Sequence, residues 1–105
     1  MSYSPGAYMD FKEKFPKVTE ANDVLVDRCS KEGPLEKKSQ WLIKLGISIG
    51  IHSESAVRQY ARQALKEKTS EAELRQAVLM AATIAGFPAT LAAMNWVEEV
   101  INKTK

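Results

Sequence analysis

The chain has 105 residues, enough for a single core-bearing domain across 1–105 and too few for two. At 45% hydrophobic and 27% charged it has the composition of a globular domain rather than of a disordered segment. Its formal charge of +2 comes from 15 basic and 13 acidic residues, too weak and too mixed a balance to attract nucleic acid or an anionic membrane, so neither is expected as a partner.

The opening Met1-Ser2-Tyr3-Ser4-Pro5-Gly6 lacks a basic region followed by an apolar run. It does not read as a secretory signal, and the expected compartment is the cytoplasm. Ser4 before Pro5 suits a helix start, and Tyr8, Phe11 and Phe15 recur at helical spacing until Pro16 ends the segment. This first helix is expected to lie as a lid on the rest. A second helix is expected from Thr19 as N-cap through Ala21, Val24, Leu25 and Cys29 to a stop at Gly33-Pro34, with Cys29 facing inward.

The third helix begins near Leu35, wet over Glu36-Lys37-Lys38-Ser39, then apolar from Trp41 to Ile51 with Lys44 as its one charge. Its second half is expected to be buried. Gly46 and Gly50, four apart, form a strip without side chains where another helix can approach closely. The fourth starts near Ser53 and carries Ala56, Val57, Tyr60, Ala61, Ala64 and Leu65 on one stripe opposite Arg58, Gln59, Arg62 and Gln63, a surface helix with one buried face. Ser70 and Glu73 make a capping box for the fifth. The stretches Ala77 to Ala85 and Ala89 to Val97, separated by the Gly86-Phe87-Pro88 turn, are apolar on every side. That turn and the polar residues around it speak against a membrane span.

No segment alternates with a period of two, so the fold is expected to be all-α, a bundle of about six helices. Two helices with no wet face exceed what so short a chain can wrap, and a homo-oligomer resolves the excess.

Several signals between Phe11 and Val100 together resemble the carboxymuconolactone decarboxylase-like family that includes the alkylhydroperoxidase AhpD. They are Phe11 to Phe15 with Pro16, Gly33-Pro34-Leu35-Glu36-Lys37-Lys38 with Leu42 and Ile43, Ala64-Leu65-Lys66, Thr69-Ser70-Glu71-Ala72-Glu73-Leu74, Gly86-Phe87-Pro88-Ala89 and Ala92-Ala93-Met94. The resemblance implies an AhpD-like helical bundle assembled as a homotrimer or hexamer. Redox-active members carry a Cys-x-x-Cys pair, a His four residues on, and a Glu from an upstream helix. On this chain the resemblance puts Ser53 and Ala56 at the cysteines, Tyr60 at the His and Trp41 at the Glu. A redox dithiol attacks a peroxide as thiolate and is then resolved by its neighbouring thiol, chemistry that a serine and an alanine cannot perform. Ser53-Glu54-Ser55-Ala56-Val57 also resembles a cysteine-free version of the site, with Arg58 and Tyr60 where that version has two histidines.

Cys29 and His52 are each the only residue of their kind, which leaves no intrachain disulfide and no multi-cysteine metal site. Neither cofactor nor metal is implied. Trp41, His52 and Tyr60 are the pocket-lining candidates, since the resemblance places Trp41 and Tyr60 at the family's cavity; all three are expected to converge on one partly apolar cavity between the third and fourth helices, which a tight turn at His52 must hold antiparallel. A non-redox family member that binds a small organic molecule of lactone or carboxylate character, or serves as a scaffold, is one expectation. An active decarboxylase-like or peroxidase-like enzyme using Tyr60, His52 or Cys29 is the other.

Overall fold

A computed structural model describes residues 5–105, so the Ser4 cap lies outside the described residues. Six helices follow one another: α1 (Pro5–Lys14), α2 (Pro16–Lys31), α3 (Lys37–Gly50), α4 (Glu54–Lys66), α5 (Glu71–Ala81) and α6 (Phe87–Lys103). There is no strand among the described residues, and no helix there is long and apolar enough to cross a membrane. The all-α expectation holds.

Helices α3 to α6 form the body. The α3 and α4 pair packs most extensively, α6 closes on α4 and α5, and α3 also lies against α5. Their apolar stripes meet in a core of Leu45 and Ile49 from α3, Val57, Ala61 and Ala64 from α4, Leu74 and Val78 from α5, and Ala93, Val97 and Ile101 from α6, all essentially inaccessible to water. Each large member of that set contributes about 1.5–3 kcal/mol of burial. Ion pairs tie the rims: Lys38 to Glu73 at 2.7 Å between α3 and α5, Arg75 to Glu98 at 2.7 Å between α5 and α6, and Arg58 to Glu99 at 2.6 Å between α4 and α6. These pairs are solvent-exposed and fix orientation more than they stabilise.

The first two helices behave differently from the sequence expectation. α1 packs against α2, and neither packs extensively on the body, so α1 is no lid within the chain. Nor does α2 begin at Thr19. Phe15 occupies the N-cap position with Pro16 in the first turn, because proline's fixed φ and missing N–H suit that turn. Thr19 is instead buried inside the helix, its hydroxyl donating to the Phe15 carbonyl at 3.0 Å. The base of this arm is held firmly: Ser30 Oγ donates to Gln40 Oε1 at 2.7 Å, and Gln40 Nε2 donates to the Ser30 and Leu35 carbonyls at 3.0 and 2.7 Å. Cys29, expected to face inward, is exposed. It does lie on the apolar side of α2, much of which stays exposed among the described residues.

Candidate functional site

The site is built by the turn between α3 and α4. Beyond the Ile51 C-cap of α3, the His52 N–H donates to the Ile49 carbonyl and the Ser53 N–H to the Ser48 carbonyl, both at 3.0 Å. This pair of bonds is a Schellman motif, which requires a left-handed residue at the position after the cap, here His52 with φ of 59°. Ser53 then caps α4, its Oγ accepting the Ala56 N–H at 3.3 Å. So tight a reversal lays α4 antiparallel on α3, and it brings Trp41 and Tyr60 into a stack with ring centroids 5.9 Å apart and planes inclined by 25°.

One turn beyond Trp41, Lys44 places its ammonium 5.0 Å from the Trp41 ring centroid and 5.8 Å from that of Tyr60. Lys37, one turn before, sits 5.9 Å over the other end of Trp41. Such cation–π contacts contribute about 0.5–1 kcal/mol each where water has access. The indole Nε1 of Trp41 is buried and has no hydrogen-bond partner among the described residues, a donor whose desolvation costs about 1–3 kcal/mol if left unmet.

Lys44 also connects this pair to a groove of about 240 Å³ at the α2–α3 elbow, walled by Pro34, Leu35 and Ile43, with Cys29, Ser30 and Gln40 at its sides. The surface of that groove is mostly apolar, and Lys44 is its one charged wall residue. No carboxylate forms an ion pair with Lys44 among the described residues.

Of the three residues singled out from sequence, the structure brings Trp41 and Tyr60 together and leaves His52 apart. His52 is exposed at the turn, about 16 Å along the helix axis from Trp41 at 1.5 Å per residue. The convergence expected of all three is corrected in that respect. His52 serves the chain reversal through its backbone, a demand that is satisfied at the turn and nowhere near the aromatic pair. Lys44 was missed as a site residue although it carried a signal, being the only charge in the run from Trp41 to Ile51 and one helical turn from Trp41. At the positions the resemblance assigns to thiols, Ala56 is buried in the core face of α4 and the Ser53 hydroxyl is occupied by capping.

Comparison with known proteins agrees with this architecture. No curated protein sequence matches the chain. A carboxymuconolactone decarboxylase family protein from Legionella pneumophila, solved in its apo form, superposes with a TM-score of 0.85 at 20% identity, covering 95% of this chain and 89% of that one. The likeness at that identity concerns the fold. The model of the carboxymuconolactone decarboxylase family matches residues 16–99, which span α2 to α5 and nearly all of α6. The chain belongs to the carboxymuconolactone decarboxylase family.

Proposed function

We propose that this protein is a non-redox member of its family, a homo-oligomer that binds a small apolar organic acid in the elbow groove between α2 and α3. The observation that carries the reading is Lys44. Lys44 lines a mostly apolar groove while its ammonium lies over the Trp41–Tyr60 stack, with no ion-pair partner among the described residues. An apolar wall with one cation selects a molecule with an apolar body and one carboxylate, because each half of such a ligand exchanges water for a matching surface. The single cysteine supports the non-redox part of the reading, since a lone thiol has no resolving partner in the chain. Apolar side chains standing in water on α5, on α6 and in the turn between them, among them Met80, Ile84, Phe87 and Leu91, support the oligomer.

Benzoate and its neutral isostere benzamide test the site, with the Trp41 indole N–H resonance as the reporter. Benzoate is expected to shift that resonance saturably and benzamide to bind at least tenfold more weakly. In Lys44→Met the preference disappears, a loss of about 1.5–3 kcal/mol for a charge-assisted contact. Equal binding of the two probes, or no shift with a folded protein, would overturn the proposal.

A further inference from the structure

A groove of about 580 Å³ runs between α3 and α5, lined by residues such as Ile43, Ile47, Gly46, Gly50, Met80 and Ile84 and by no charged group. Gly46 and Gly50 form its floor, and a Cβ built on either meets nothing within 4 Å. The strip that the sequence offers for close helix approach is therefore unoccupied among the described residues. On the arm, α2 presents a stripe of Val18, Ala21, Leu25 and Cys29 at helical spacing, while Glu20, Asp23, Asp27 and Lys31 lie on the opposite side. Val18 and Leu25 on that stripe are 57% and 60% exposed, the reverse of what a solvent-facing helix shows.

The chain exposes 7074 Å². A compact monomer of 11.7 kDa exposes about 5,900 Å², and a standard protein interface removes about 800 Å² from each partner. The excess of about 1,200 Å² is thus larger than one such interface requires. The radius of gyration of 14.2 Å likewise exceeds the value of about 13 Å for a compact chain of this length. Both excesses match an arm that stands off the body, with its base fixed by the Ser30–Gln40 hydrogen bonds.

We infer that the α2 stripe of one copy seats in the α3–α5 groove of a second copy, so that the arm is an intersubunit element. This deepens the oligomer reading above and rests on it. A convex apolar ridge facing a concave uncharged groove with a glycine floor satisfies both surfaces. Groove against groove would leave two hollows facing each other, and arm against arm would leave Ile47 and Met80 in water.

The test uses the full chain in a Cys29→Ser background. Leu25→Cys and Ile47→Cys are prepared separately, mixed to allow exchange, and treated with a bis-maleimide of about 10 Å span. The mixture is expected to give at least five times more covalent dimer than either variant alone. As an independent measurement, Gly46→Leu projects a side chain into the open groove and so keeps the helical circular dichroism of the native chain. It should raise the dissociation constant of the oligomer at least tenfold by sedimentation. Wild-type protein sedimenting as a monomer would overturn the oligomer reading and this inference together. An oligomer whose Leu25→Cys variant links mainly to itself, or that is unaffected by Gly46→Leu, overturns the arm docking alone.

Discussion

Replacing His52 by glycine is expected to stabilise the protein without touching the site. His52 adopts a φ of 59° after the C-cap of α3, and a side chain in the left-handed region costs roughly 1–2 kcal/mol because Cβ crowds the carbonyl oxygen. Glycine removes that cost but adds freedom to the unfolded chain, which returns about 0.4–1 kcal/mol. The net gain is about 0.5–1 kcal/mol, or about 2–8 °C in midpoint for a domain of this size. Thermal unfolding by circular dichroism at matched protein concentration reads it, because oligomer dissociation makes the midpoint depend on concentration. His52→Ala keeps the strain and should stay within about 0.5 kcal/mol of wild type, while benzoate affinity stays unchanged in both variants. Lys68, at φ of 63° after α4, holds the same place in a second Schellman motif, with Lys68 N–H on the Leu65 carbonyl and Thr69 N–H on the Ala64 carbonyl at 3.1 Å. The two sites are separate, so Lys68→Gly should add its own gain. A lower midpoint in His52→Gly, or loss of ligand binding, would refute the assignment of His52 to the turn.

Two further outcomes are expected. The Glu73 carboxyl is held down to about 2, first by the hydrogen bond from Lys38 and then by the Ser70 backbone N–H. A depressed carboxylate stabilises the fold above its ordinary value near 4.5 and loses that contribution as pH falls toward 2. The melting temperature should therefore decline between pH 5 and about 2, and less steeply in Glu73→Gln, with a residual slope from Glu98, which Arg75 lowers in the same direction. Hydroperoxide reduction with dithiol reductants should stay at background, and turnover that vanishes in Cys29→Ser would contradict the non-redox assignment.

The local rules of helix start and stop read much of the body directly. The Ser70–Glu73 box forms with both of its hydrogen bonds, and the α4 stripe buries Ala56, Val57, Ala61 and Ala64 as its period requires. Stop signals were harder, because the αL positions after α3 and α4 are filled by His52 and Lys68 rather than by glycine, while Gly46 and Gly50 sit inside a helix. Periodicity also marks an apolar face without saying what covers it. Cys29, Val18 and Leu25 lie on such a face and still meet water, since no described element of the chain covers them. The Trp41–Tyr60 stack was legible because a tight turn fixes the register of the two helices on either side. The place of Lys44 was not, because reading it needs the elbow groove, which forms where the Ser30–Gln40 and Gln40–Leu35 hydrogen bonds fix the joint between α2 and α3.

The start of α4, which the family resemblance aligns with a dithiol site, carries Ser53 and Ala56, and the same helix carries Tyr60 of the aromatic pair. In a dithiol site the reacting atoms must be small, polarised and able to leave. Here the corresponding stretch of α4 commits the Ser53 hydroxyl to capping and packs Ala56 into the core, so neither can be freed for reaction without unfolding the start of the helix. Seven residues further, Tyr60 meets Trp41, and Lys44 is held against both rings. Such an array holds a cation on a rigid apolar wall, an arrangement suited to orienting and binding an anion. On the proposed reading, what these helices retain is recognition of an anion on an apolar body, with Lys44 as the residue on which affinity turns.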